Sequence, residues 1–244
     1  MTTSNFRCFK YRPVNKNLID SLVNSTIYFS SREALNDPFD SKIDIRQLIG
    51  SLLKEDLPAK AREQVEQIAR DKTFFMNFDA GYRDFGICSF SIELAETLMW
   101  SHYADQHRGV AVHYDFPIEW LNNPTEIFGV APVKYEPNTV SDWIRSSAGL
   151  FHDDHFQFVT ELLKRVLTAK APAWSYEKEG RIIRPKIGPY SIPRNMLVGI
   201  TFGLRTSQGD EDLIRSIATT YFGDIQFSRV ARTGSDFGIG VQEA

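Results

Sequence analysis

The sequence predicts a single α+β domain, a mostly antiparallel, mixed sheet with flanking helices. Three observations lead there. Candidate strands do not alternate regularly with helices, which argues against a doubly wound parallel sheet. At 244 residues, with 42% apolar and 13% aromatic residues, the chain can bury a substantial core. Internal repeats, low-complexity stretches and Gly-, Ser- or Pro-rich linkers are absent from the sequence, so nothing marks a division into two units.

The elements follow in order. Phe6-Arg7-Cys8-Phe9-Lys10-Tyr11-Arg12 alternates apolar and polar residues up to Pro13, the pattern of a half-buried strand. Leu18, Ile19, Leu22 and Val23 recur at helical spacing, and residues 26–30 return as a strand. Two helices are predicted over about 42–55 and 58–77, with Pro58 suited to a first helical position. Residues 85–90 read as a buried strand. Ser91 is the expected N-cap of a helix running to about Gln106, with Gly109 as its terminator. Strands are predicted over 110–116 and 127–135, then an amphipathic helix over about 153–169 and a strand over 180–184. The last third holds strands near 197–202, 225–229 and 238–242, with a helix over about 209–221.

Lys and Arg total 28 against 31 Asp and Glu, giving a formal net charge of −3. That balance supplies no global attraction to nucleic acid or anionic membranes. No stretch approaches the ~18 apolar residues of a membrane span, and residues 1–13 lack a hydrophobic signal core. Cys8 and Cys88 alone do not make a disulfide framework, so a cytoplasmic setting without membrane association is expected.

Chemistry concentrates in Tyr176-Glu177-Lys178-Glu179-Gly180-Arg181. On a strand, Glu177 and Glu179 share a face, and two close carboxylates raise each other's proton affinity, which suits acid–base work or stabilisation of positive charge. The plainer alternative is an exposed strand on which Lys178, Arg181 or Arg184 neutralises them. Lys10 and Arg12 share a strand face and could grip a phosphate or carboxylate, Arg12 with a bidentate fork. Ser30 can hold an amide or ribose, while Asn36 and Asp37 before Pro38 suit a turn. Met99, Trp100 and Tyr103 fit one helical stripe facing a core, and His102 is either a general base or a structural histidine. His152 and His155 are not completed into a metal-ligand set by any further motif, so no metal is expected. No Gly-rich phosphate loop or nucleophile elbow occurs, and Cys88 lies in an apolar strand.

Lys10-Tyr11-Arg12, Tyr28-Phe29-Ser30, Asn36-Asp37-Pro38-Phe39-Asp40, Cys88-Ser89-Phe90, Met99-Trp100-Ser101-His102-Tyr103 and Trp174-Ser175-Tyr176-Glu177-Lys178-Glu179-Gly180-Arg181 occur in this order. Together they resemble the bacterial family called domain of unknown function 2971, a label that implies a fold rather than a reaction. The order of basic strand, short helix, aromatic-Ser strand and late Glu-x-Glu is similar to ADP-ribosyltransferases. That likeness implies that Arg12 helps hold NAD, that Tyr28 or Ser30 shapes a nicotinamide pocket, and that Glu179 bonds the nicotinamide ribose, with Glu177 as the preceding acid. Trp174 or Tyr176 would stack on a flat ring. Ser30-Ser31-Arg32 stands in place of a full Ser-Thr-Ser.

The leading expectation is therefore an NAD-consuming, ADP-ribosyltransferase-like enzyme, of the bacterial toxin or phage-defence kind, acting on a protein or nucleic-acid acceptor. Two others stand beside it. One is a nucleic-acid-binding module whose basic groove comprises Lys10, Arg12, Arg181 and Arg184. The other is a hydrolase pairing His102 with Glu177 or Glu179.

Overall fold

A computed structural model describes residues 5–234 and 238–244. The chain opens with β1 (Asn5–Arg12), α1 (Lys16–Val23) and β2 (Thr26–Phe29), and a helical stretch follows, α2 (Ile45–Leu52), α3 (Ala59–Arg70) and α4 (Lys72–Arg83). Next come β3 (Gly86–Ser91), α5 (Thr97–Tyr103), β4 (Val110–Pro117), α6 (Ile118–Leu121) and β5 (Gly129–Pro132). A second helical stretch is α7 (Thr139–Ser147), α8 (Leu150–Asp153) and α9 (His155–Thr168). The chain ends with β6 (Glu179–Arg184), β7 (Gly188–Ser191), β8 (Leu197–Phe202), α10 (Gln208–Phe222), β9 (Gln226–Arg232) and β10 (Ile239–Glu243).

Among the described residues, eight strands form one sheet in the order β10-β9-β8-β4-β1-β3-β6-β5. Every pairing is antiparallel except β8 with β9. This is the α+β architecture expected, and no helix among the described residues is long and apolar enough to cross a membrane. The expected strand over 26–30 forms outside this sheet, as β2 paired with β7, and Ser30 bridges to Ile87 of β3. Strand β7 had no strand signal of its own, because Gly188-Pro189 reads as a turn.

Alternation along the strands divides the core. One face of the sheet carries Cys8, Phe90, Val112, Ile182 and Phe202, packed with residues of α1 and α10. The opposite face is covered in two pieces. Ile87 and Ile183 belong to a cluster with the helical stretches, whereas Tyr11 and Ala111 pack with Met99 and Trp100 of α5.

Several helix expectations need correction. The predicted helix over 58–77 breaks at Asp71, whose φ of −82° and ψ of 89° leave the helical region while its carboxylate accepts from the Phe74 N–H to start α4. Pro58 is the residue before α3, at ψ 142°, rather than its first helical residue. Ser91 caps nothing: it ends β3, its hydroxyl donates to the Glu177 carbonyl at 2.7 Å, and α5 starts six residues later behind Glu96. Helix α5 stops at Tyr103 instead of Gln106 because Asp105, Gln106 and His107 all take positive φ, of 46°, 53° and 71°. Left-handed backbone costs a non-glycine residue ~1–2 kcal/mol. The reversal is held by the His107 N–H to the Trp100 carbonyl at 3.0 Å and the Gly109 N–H to the Ala104 carbonyl at 2.8 Å. Gly109 serves a close approach: a Cβ there would lie 2.2 Å from the Arg12 carbonyl oxygen. Helix α7 was not expected.

Candidate functional site

Strand β1 is hydrogen-bonded along its length to β4, yet its pairing with β3 is limited to Phe9 with Ser91. Beyond that pair the two strands diverge, and backbone groups that would have met across a ladder face a crevice. The Lys10 ammonium spans the gap and donates to the Ser89 carbonyl at 2.9 Å, with the Cys88 sulfur at 3.4 Å. Ser30 closes the far side through its two backbone bonds with Ile87, each 2.9 Å. A cavity of about 210 Å³ fills the crevice, between the two smaller cores. Its walls include Phe9, Tyr11, Met99 and Tyr103 on one side and Leu35, Asn36 and Ile87 on the other.

The floor is ionic. Glu177 ends a 3₁₀ turn over Pro172–Glu177, Lys178 takes a left-handed conformation with φ of 43°, and Glu179 begins β6. That reversal, rather than strand alternation, brings the two carboxylates together. Both accept from Lys170, Glu177 at 2.5 Å and Glu179 at 3.1 Å, and Asp40 lies 3.4 Å from the same ammonium. Arg181, 0% exposed, grips Glu179 through Nε at 2.7 Å and Asp40 through Nη2 at 2.6 Å, and also donates to Ser41 and to the Leu167 carbonyl. The Tyr103 hydroxyl donates to Glu177 Oε1 at 2.6 Å. The acidic-basic strand considered from sequence is therefore buried: Glu177 is 3% exposed and Glu179 6%.

The two carboxylates differ in environment. Burial is the largest influence on each. For Glu179 the Arg181 guanidinium, Lys170 and the Ser89 hydroxyl outweigh it and hold the carboxyl down to about 2. For Glu177 burial prevails over Lys170 and Tyr103, and the carboxyl is raised above its usual range. Glu179 is thus a fixed anion whose oxygens are both occupied by guanidinium nitrogens. Glu177, with spare acceptor capacity and a raised proton affinity, is the group able to exchange a proton at the cavity floor.

Residues 99–182 match the family model described as Protein of unknown function (DUF2971). The match supports the resemblance read from the sequence, and its span contains Tyr103, Lys170, Glu177, Glu179 and Arg181. No curated protein and no solved structure matches the chain.

The structure gathers Lys10, Ser30, Asn36, Tyr103, Glu177 and Glu179 around one cavity. Arg12 is not among them. It shares a strand face with Lys10 but sits two residues further along, at the end of β1 and outside the lining of this cavity, so it does not face Glu179 across a common cleft as expected. It lines an adjoining depression of about 580 Å³ with Tyr28 and Asp20, and the two hollows meet at Lys10 and Ser30. Arg181 and Arg184 are buried in ion pairs, Arg184 with Glu126, so the four-residue basic groove does not form. His102 is exposed, lies beside the rings of Tyr103 and Tyr176, and makes no hydrogen bond to either glutamate, so the His102 hydrolase loses its base. Trp100 is a 0%-exposed core residue whose indole N–H donates to the Leu94 carbonyl. Trp174 packs on Lys170 and Tyr176. Asp37 accepts from the Phe39 N–H, the turn expected of it. His152 bonds Gln67 and His155 stacks on Phe151, and neither joins a metal-ligand cluster among the described residues.

Sequence reading missed Lys170 and underrated Asp40. Lys170 lies in Ala169-Lys170-Ala171-Pro172, a loop with no local signature. Asp40 was in view only as part of a turn motif.

Proposed function

We propose that the chain is an ADP-ribosyltransferase-like enzyme that cleaves the glycosidic bond of a nucleotide, with NAD as the substrate to test and Glu177 as the group that handles charge and proton. The observation that carries this reading is the buried Glu177 carboxyl at the cavity floor, bonded by Tyr103 and Lys170 and flanked by the fixed anion Glu179. A cavity of about 210 Å³ is below the ~300–1,000 Å³ usual for whole drug-sized ligands. It suits one flat ring and its sugar, with Ser30 and Asn36 offering partners to a carboxamide. A ligand continuing past Lys10 enters the adjoining depression, where Arg12 can meet phosphate oxygens.

The chemistry then balances. The bond between ribose C1′ and the ring nitrogen breaks, and its electron pair leaves with nicotinamide, which departs neutral. Positive charge develops on the ribose, where a fixed carboxylate stabilises the transition state more than the ground state. An acceptor hydroxyl, or water, bonds to C1′ and gives its proton to Glu177. Enzyme incubated with NAD should release nicotinamide, and Glu177→Gln should lower the rate by ~10²-fold or more, the scale of a lost acid–base group. An NAD pool left intact across protein and nucleic-acid acceptors would remove this reading.

A further inference from the structure

Lys10 occupies the joint between the two hollows: its side chain lines both the cavity and the depression that holds Arg12. The partners it has there are neutral. The ammonium donates to the Ser89 carbonyl at 2.9 Å and to the Cys88 sulfur at 3.4 Å, and lies 5.0 Å from the centre of the Phe90 ring. The sheet accounts for this position. Phe9 pairs with Ser91 in antiparallel register, so Tyr11 would meet Ser89 if the ladder ran on. The strands part before that pair, and the Lys10 side chain reaches across to the Ser89 carbonyl where the neighbouring backbone does not. A cation bonded to neutral acceptors keeps its full charge for an anion that comes within reach.

We propose that Lys10 is a gate between the two hollows, and that a 5′-phosphate on the ligand opens it. The ammonium leaves the Ser89 carbonyl for the phosphate, and the uncovered carbonyl accepts from a ribose hydroxyl of the same ligand. The inference rests on the reading of the cavity as a nucleotide site, but not on the reaction that follows. Bond strengths decide which ligands work the gate. A bond from an ammonium to a phosphate is charged on both sides and is stronger than one to a neutral carbonyl, so the exchange is favourable. A nucleoside without phosphate can enter only by taking an acceptor from the ammonium and returning nothing as good, which is costly. The crevice therefore selects phosphorylated ligands before Arg12 is reached. Arg12 lies two residues further along the same strand face and lines the depression but not the cavity. The two cations thus differ in effect. Arg12 adds affinity for phosphorylated ligands, whereas Lys10 also withholds affinity from the others.

The test compares benzamide riboside with its 5′-monophosphate by titration calorimetry. Both carry a neutral ring joined to ribose by a carbon–carbon bond that is not cleaved. The monophosphate should bind the wild type at least about tenfold more tightly, the scale of one hydrogen bond to a charged group. Lys10→Met should close that gap from both ends, weakening the monophosphate and binding the riboside several-fold more tightly than the wild type does. Arg12→Met should weaken the monophosphate and leave the riboside unchanged. If Lys10→Met does not fold, the carbonyl-carbon resonance of Ser89 in the wild type decides: it should move at saturation with the monophosphate and stay in place with the riboside. Riboside affinity unchanged or lowered by Lys10→Met, a Ser89 carbonyl that responds to both probes alike, or no binding of either probe overturns the inference. Cleavage of NAD alongside any of those results removes this inference and leaves the proposed reaction standing. Gated binding with NAD untouched does the reverse.

Discussion

Arg181 spends all three guanidinium nitrogens on buried acceptors, holding Asp40, Glu179, Ser41 and the Leu167 carbonyl from inside the sheet. Removing it strands two carboxylates away from water. Arg181→Met should therefore destabilise the fold by about 3–5 kcal/mol, read from the denaturant midpoint. Glu179 and Glu177 affect pH stability with opposite signs. Glu179 is held to about 2 from the ordinary 4.5, so as pH falls the unfolded chain takes up the proton first. Its contribution is present above about 4.5 and is lost on acidification toward about 2, a loss on the order of 3 kcal/mol. Glu179→Gln should flatten that acid limb. Glu177 is raised, so above the ordinary carboxylate value it is the folded state that holds the extra proton, and stability falls as pH rises through the folded value. Glu177→Gln should remove that alkaline loss, while Glu179→Gln, which takes away one of the charges that raise Glu177, should only diminish it. The same acid is thus costly to the fold and useful to the site, the pattern expected of a functional group.

At the scale of elements, local signals and tertiary constraints part company at identifiable places. Strands β1, β4 and β8 could be read directly because period-two alternation and apolar runs are recorded in the residues themselves. A single residue, Asp71, separates α4 from α3 and caps α4, a signal hidden inside a continuous apolar periodicity. Asp71→Ala should cost ~1 kcal/mol of stability, the usual value for a lost N-cap, without altering the cavity. The early end of α5 is a tertiary effect. Three left-handed residues are tolerated there because the backbone at Gly109 must pass close to β1. Gly109→Ala forces a Cβ to 2.2 Å from the Arg12 carbonyl oxygen, a contact no rotamer relieves. That variant should lose far more stability than Asp71→Ala when melting temperatures are compared. The candidate site was half legible for the same reason. The Glu-x-Glu pair stood out by residue type, but its geometry depends on Lys170 after α9, Asp40 before α2 and Tyr103 at the end of α5, and only folding brings these together.

For the whole molecule, the decisive feature is that β1 and β3 separate after a single pair, with the two smaller cores covering the sheet on either side of the opening. A continuous sheet would have left Glu177 and Glu179 under packed side chains. The divergence instead leaves a cavity with an ionic floor and Lys10 at its exit. The account stands on that cavity being where ligand goes. Met99 lines it, while Met76 lies exposed on α4 and Met196 is buried in the core on the other face. Methyl spectra of methionine-labelled protein titrated with NAD read the three positions separately. A saturable shift of the Met99 signal, with Met76 and Met196 unmoved, is the predicted result; a Met99 signal unchanged at saturating NAD would contradict it.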